Sequence, residues 1–313
     1  MHPLRTVLLF FLIFTLMTVF LYAQEPESTR LETPSPSWNI DQGIELPIGK
    51  TQWEIDNEHL FPKYIPATDD PPPQPSVNPG EFERMSGVLI RYPLGLSYSI
   101  IAEMSEDITV VTIVSSETQA QTVNGYYINN GVNIDNCEWL IAPSNSIWTR
   151  DYGPWFIFTG EDVQGISNHT YNRPSRPYDN MIPLRFGEAY DIPVYDLPLT
   201  HSGGNYMSDG MGISMSTDLV YNENSGISQL QLEDYMNTWL GVEDYDVLDD
   251  ILSGGIHHID CWAKMLNPGT ILAKRLNPPN ATLEANVAYW ESKIIGDALA
   301  PPSTPGRSLS AWC

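Results

Sequence analysis

The sequence predicts a mixed α/β fold. Apolar runs of strand length alternate with stretches of helical spacing from Gly87 onward, Gly, Pro and Asn clusters punctuate them, and the same succession recurs after about Gly210. Hydrophobic residues make up 42% of the 313 and charged residues only 17%. That is apolar enough to build a core and rules out a chain disordered throughout. The length allows one large domain or two small ones.

The elements follow in order. Val88-Leu89-Ile90-Arg91-Tyr92 is an apolar run of strand length, and Ser97 to Ser105 has helical spacing. Ile108 to Val114 is rich in β-branched residues and predicts a buried strand. Glu117 to Asn130 predicts a helix stopped at Asn130-Gly131, and Cys137 to Ala142 a strand broken by Pro143-Ser144-Asn145. Trp155 to Thr159 and Gly165 to Tyr171 predict a hairpin. Gly212 to Tyr221 reads as a strand, Gln229 to Leu240 as an amphipathic helix, and Asp244 to Leu248 as a strand. His257 to Met265 and Thr270 to Lys274 predict a second hairpin around Asn267-Pro268-Gly269, followed by a helix over Leu283 to Leu299. The recurrence suggests repeated strand-rich units with one long helix each.

Two segments precede this domain. Met1 to Arg5 is short and basic, Thr6 to Ala23 carries no charge, and Gln24-Glu25-Pro26 follows a small residue. Residues 1–23 therefore read as a secretory signal peptide, and the mature chain as exported. An uncleaved anchor is the alternative, because about 18 apolar residues can just span a bilayer. Residues 24–80 hold eleven prolines and read as an extended arm or linker, with Trp53, Leu60 and Phe61 apolar enough to dock. The folded domain is expected over 81–313.

Fifteen Lys and Arg against 39 Asp and Glu give a net charge of −24. Such a chain repels phosphate backbones and anionic lipid surfaces, so nucleic acid is excluded as a partner and no membrane is expected after signal cleavage. A cationic substrate is drawn in. Three cysteines, Cys137, Cys261 and Cys313, are too few for a disulfide framework or a Cys-rich zinc site.

Four constellations carry chemistry. Ile147-Trp148-Thr149-Arg150-Asp151-Tyr152-Gly153-Pro154-Trp155 crowds a carboxylate among aromatics, which is what a flat cation needs: charge for its N–H fork and a π face for its plane. A turn with Trp in the core and Arg150–Asp151 as a surface pair fits as well. In Gly255-Ile256-His257-His258-Ile259-Asp260-Cys261-Trp262, a strand would place His258 and Asp260 on one face and His257, Ile259 and Cys261 on the other. That pair suits a proton shuttle beside a cation-binding carboxylate, or a core histidine bonded to its neighbour. His257, His258 and Asp260 could also serve a metal-dependent hydrolase, although His-x-Asp supplies few ligands. His201-Ser202-Gly203-Gly204-Asn205-Tyr206-Met207-Ser208-Asp209-Gly210 lets backbone approach a ligand or another strand closely. In Tyr171-Asn172-Arg173-Pro174-Ser175-Arg176-Pro177, two arginines in a Pro-framed loop could clamp a carboxylate or pair with surface acids.

Together, Trp-Thr-Arg-Asp-Tyr-Gly-Pro-Trp, Gly-Gly-Asn-Tyr-Met-x-Asp-Gly and His-Ile-Asp-Cys-Trp resemble, in this order, the bacterial peptidylarginine and agmatine deiminases. The secreted peptidylarginine type is the nearer likeness, over roughly Glu81 to Thr304. The resemblance implies the pentein fold, a five-bladed α/β propeller, and hydrolysis of a guanidinium with release of ammonia. Peptidyl-arginine would become citrulline, or agmatine N-carbamoylputrescine. It implies Asp151 and Asp260 as the carboxylates that grip the guanidinium and His258 as the acid/base. Trp148 would be a pocket wall, Asn205 a substrate-binding residue, and Arg173 and Arg176 the holders of a substrate carboxylate. The implied chemistry is covalent, through a cysteine thiolate and a thiouronium intermediate, with no cofactor and no metal.

The family's nucleophile lies in the last blade, and none of Cys137, Cys261 or Cys313 matches it. The chain is therefore expected to be an incomplete propeller, truncated at its C-terminus, that turns over no arginine as written. A catalytically inactive remnant is the alternative to an arginine or agmatine deiminase.

Overall fold

The computed structural model describes residues 49–57, 59, 70–160, 163–297 and 311–312. The signal-peptide segment, the docking of Trp53, Leu60 and Phe61, and Cys313 lie outside the described residues or side chains. All described residues belong to the unit Glu45–Cys313.

The first half opens with α1 (Gln52–Asp56), β1 (Ser76–Val77) and β2 (Met85–Arg91), followed by α2 (Tyr98–Asp107), β3 (Thr109–Val114), α3 (Glu117–Asn129) and β4 (Cys137–Ile141). Strands β2, β3 and β4 pair in parallel. Ser97 and Ser116 cap the two crossover helices by accepting from the N–H of Ile100 and Gln119. One face of this sheet buries Ile90, Val110 and Val114 against Ile101, Val123 and Tyr127. The other buries Leu89, Val111, Ile113 and Leu140 against Phe156, Ile166 and Phe186. Burial on both faces explains why β3 reads as a continuous β-branched run.

A single turn, α4 (Thr149–Tyr152), leads into β5 (Trp155–Thr159) and β6 (Val163–Tyr171), the antiparallel hairpin expected from the sequence. Then come α5 (Pro177–Asn180), α6 (Ile182–Tyr190) and β7 (Val194–His201), which pairs in parallel with β6. The sequence reading assigned none of these three. Pro183 and Pro198 interrupt the pattern, yet Pro183 sits in the first turn of α6, where proline is tolerated. Pro198 lies on an edge strand, where it needs no ladder partner on its outer side. On the opposite edge, β1 pairs with β5, so the end of the Pro-rich segment joins this sheet.

The second half contains β8 (Met207–Ser208), β9 (Ile213–Thr217), α7 (Leu219–Glu223), α8 (Gln229–Leu240) and β10 (Asp244–Leu248). It continues with β11 (Ala263–Asn267), β12 (Thr270–Ala273), α9 (Ala281–Asp297) and β13 (Ala311–Trp312), the last parallel to β2. The expected strand over Gly212 to Tyr221 is corrected: it ends at Thr217 and α7 follows. The Asn224 side chain beyond α7 bonds both N–H and C=O of Thr200, so the chain must turn back onto β7 there. The expected strand from His257 is corrected as well. It begins only at Ala263, after a 3₁₀ turn at Ile259–Cys261, because His257 adopts φ 59°, which an extended ladder cannot accommodate.

Candidate active site

Three loops meet at the site, and each is held by its own hydrogen bonds. In the first, buried Asp179 accepts from Asn145 N (2.6 Å), Ser146 N (3.1 Å) and Ser146 Oγ (2.6 Å). Tyr152 donates to Ser146 O at 2.7 Å. This fixes the run into α4, where Asp151 N bonds Trp148 O (2.9 Å), turning the Asp151 carboxylate inward. His169 Nε2 meets Asp151 O from below at 3.2 Å.

The second loop is the 3₁₀ turn Gly203–Asn205 after β7. A Cβ on Gly203 would lie 2.0 Å from Arg150 O, so only glycine lets this backbone pass against α4. A Cβ on Gly204 would lie 2.6 Å from His258 Nδ1, 2.7 Å from Asp151 Oδ1 and 3.0 Å from Asp260 Oδ2. Three polar atoms, from two other loops, thus converge on one point above Gly204, whose N–H also donates to Asp151 Oδ1 at 3.2 Å.

The third loop carries His258 and Asp260. Asn205 Oδ1 holds it by accepting from Ile259 N (3.2 Å), while also accepting from Thr217 N (3.0 Å). Glu81 forms ion pairs with Arg150 and, at 2.6 Å, with Lys264, tying α4 to the strand that follows Asp260.

Burial raises the Asp151 carboxyl, partly offset by the Ser202 hydroxyl, Arg173, the Gly204 N–H and Arg150. Burial and then the charge of Asp151 push Asp260 up to about 6, against Arg150 and Lys264, although the residue keeps an exposed edge. Burial and then the positive charges of Arg173 and Arg150 push His258 down to about 3. At neutral pH Asp260 is therefore a carboxylate and His258 a neutral imidazole. His258 Nδ1 stands 3.5 Å from Asp151 Oδ1, and neither of its ring nitrogens has a hydrogen-bond partner, although the residue is 1% exposed. Asn205 Nδ2 and Arg173 Nε are likewise buried without partners. Buried polar atoms in this state are rare and expensive.

The sequence-predicted residues separate into two groups. Asp151, His258 and Asp260 come together, while the oxygen of Asn205 accepts from Thr217 N, Thr217 Oγ1 and Ile259 N. Arg173 is buried close enough to exert its charge on both Asp151 and His258, and donates to Asn172 O at 3.2 Å. Arg176 goes elsewhere. It is 0% exposed, its Nε bonds Glu54 Oε1 of α1 at 3.1 Å, and its guanidinium is committed to that carboxylate and to Gly49 O. Its expected place on a substrate carboxylate is therefore not where the structure puts it. Trp148 packs against the core around Tyr152 and Phe186.

Cys261 was expected on the face opposite Asp260. Because the segment turns instead of extending, its thiol bonds Asp260 and is pushed up to about 11 by burial and by the charges of Asp260 and Asp151. Cys137 lies in β4 and burial raises it to about 11. Neither is a thiolate near neutrality. Among the described residues, no group of three or more His, Cys, Asp or Glu could hold a metal ion. Asp250, Glu81 and Asp179 support the site but were not singled out in the sequence. A lone acid at the end of a strand or helix carries no motif, and only Asp250's position just after β10 hints at a loop role.

A family model for the Porphyromonas-type peptidyl-arginine deiminase matches residues 80–294. A provisionally named agmatine deiminase of Legionella pneumophila (strain Paris) is 28% identical over 150 residues, covering 44% of this chain and 42% of that protein. The chain thus spans less than half the length of the curated relatives it matches. Among solved structures, the C. jejuni agmatine deiminase superposes with a TM-score of 0.56 at 17% identity, over 70% of this chain and 69% of that one. The agmatine deiminase of Enterococcus faecalis gives 0.58 at 20%, over 80% and 74%. At these identities the superpositions speak for the fold alone. With the family model covering more than two thirds of its length, the chain belongs to the Porphyromonas-type peptidyl-arginine deiminase family.

Proposed function

We propose that this site binds the guanidinium of an arginine side chain and belongs to a hydrolase of its C–N bond, a protein-arginine deiminase in type. The observation that carries the reading is the convergence of Asp151, Asp260 and His258 above Gly204. Two carboxylates supply the acceptors for a planar N–H fork, in a pocket too narrow for any side chain at position 204. Positioning of this kind supplies much of the rate in such reactions.

In the proposed chemistry a cysteine thiolate attacks the guanidinium carbon. The departing nitrogen takes a proton through His258 and leaves as ammonia, and water then cleaves the thiouronium to give the urea and regenerate the thiolate. His258 begins neutral, so it takes the proton of the cysteine thiol as the thiolate forms and then passes that proton to the departing nitrogen. We assign the nucleophile to neither Cys137 nor Cys261.

Arg173 favours a ligand with a carboxylate at its far end, arginine over agmatine, because it is a buried cation near enough for its charge to be felt at Asp151 and His258. An exported chain, with residues 1–23 removed, would meet such arginines in peptides and proteins. The architecture we propose is the five-bladed propeller. The four small sheets of the described residues, each crossed or followed by its own helices, support it.

The reading is tested by calorimetric titration of the full chain with N-acetyl-L-arginine and with agmatine. N-acetyl-L-arginine is expected to bind about tenfold more tightly, and Arg173→Ala to erase the difference. Equal affinities in the unsubstituted chain would remove the arginine preference.

A further inference from the structure

His257 is the one non-glycine residue besides Asp191 with positive φ among the described residues, and it directly precedes His258. Asp191 terminates α6 in the ordinary left-handed manner, whereas His257 lies in no helix cap. Non-glycine residues held in this region cost free energy and persist where surrounding structure over-determines them. That surrounding structure is visible. His257 Nδ1 lies 2.6 Å from Asp250 Oδ2, and Asp250 Oδ1 accepts from Trp262 Nε1 at 3.2 Å. Thr217 Oγ1 donates to His257 O at 2.6 Å. Trp262 is itself immobilised, 2% exposed and stacked on Trp290 at 5.9 Å. Asp250 thus grips both ends of the segment 257–262, and His258 and Asp260 lie between the two grips. The His257 ring is 40% exposed, so core packing is not what keeps it there.

We propose that Asp250 and His257 are positioning residues for the candidate site. The carboxylate holds the imidazole, and with it the backbone at 257, in the left-handed conformation that turns His258 and Asp260 onto Asp151. This rests on the guanidinium-site reading for what the aligned groups do, but not for the alignment itself. In an extended conformation at 257 the following residues would run on as a strand and point away from Gly204.

Two substitutions separate the backbone conformation from the side chain. His257→Ala removes the tether and keeps the left-handed penalty, so the segment relaxes. His257→Gly removes the tether and the penalty together, so the turn persists. The readouts are the His258 ring signals in an NMR spectrum of the histidine-labelled full chain, and its affinity for L-arginine. His257→Ala is expected to shift the His258 signals and weaken L-arginine about tenfold, as a small misplacement in such a site does. His257→Gly is expected to keep the signals near their original positions and the affinity within about threefold. A purely structural contact would lower the thermal midpoint in both variants while leaving the His258 signals of the folded chain alone, and that result would overturn the proposal. Equal shifts in both variants would overturn it too, because the conformation would not be what matters. If the unsubstituted chain bound no L-arginine, the guanidinium reading would fail, while the ring signals would still decide the positioning.

Discussion

Gly204 shapes the site by what it lacks. Adding one methyl there places a carbon 2.6 to 3.0 Å from His258 Nδ1, Asp151 Oδ1 and Asp260 Oδ2, so Gly204→Ala is expected to abolish guanidinium binding. The fold should lose no more than an overpacked core position costs, about 1–3 kcal/mol, and a thermal melt run beside a binding assay separates the two effects. The titration of the site gives a second test. A cation needs both carboxylates ionised, and Asp260 protonates below about 6. Affinity should therefore fall about tenfold between pH 7 and pH 5, one unit below that value, and stay level above pH 7. Affinity that is flat or rises toward acid would contradict the assignment of Asp260. For stability alone the sign reverses. A folded-state value above the ordinary 3.8 means that the empty fold holds the proton more tightly, so Asp260 favours the empty fold less as pH rises from about 4 to 6. Asp151, His258 and Asp260 stood out as charged groups in short aromatic-rich motifs, and the family resemblance was what assigned them to one site. Gly204 was legible only as a place of close approach, since what approaches it comes from residues 53, 54 and 56 positions away. Asp250 was not legible, because its partners are fixed by a left-handed turn that no local pattern announces.

At the scale of elements, α1 is held to the domain by a buried ion pair. Glu54 and Arg176 are 4% and 0% exposed at their side chains. Burial alone would raise the Glu54 carboxyl, but bonds from Ser175 and Thr51 and the charge of Arg176 leave it below its ordinary value. Removing one partner strands the other charge, so Glu54→Ala should cost about 3–5 kcal/mol. Glu54→Gln, which keeps the hydrogen bonds in part, should cost less. Denaturant unfolding of both variants checks this, and a loss within error for Glu54→Ala would show that α1 is not anchored there. The helices α2, α3 and α8 were legible from their helical spacing, amphipathic pattern or stop signals, and in the structure serines cap all three. The stretch from Pro177 to His201 was not, because an edge strand tolerates a proline that sequence patterns treat as a breaker. The hairpin expected from His257 was half right: β11 and β12 pair as read, but one positive φ removes the first six residues from the strand.

Across the whole molecule, charge and architecture act together. The net charge of −24 draws cations toward a site whose own groups are two carboxylates. The association rate of a cationic ligand should therefore fall as salt is raised, while its dissociation rate changes little. Stopped-flow measurements at two ionic strengths distinguish this from a site whose binding is local alone. The α/β class and the alternation of strands and helices in the first half were legible from composition, from runs of β-branched residues and from helical spacing. The assembly of the site was not, because it depends on loops from three separate sheets meeting at one glycine. The measurement that bears most directly on the central claim is a calorimetric titration of the full chain with L-arginine at pH 7.5, repeated with Asp151→Asn. Saturable binding at one site per chain, weakened at least tenfold by the substitution through loss of a charge-assisted bond, is the predicted result. No binding, or binding that Asp151→Asn leaves unchanged, would contradict it.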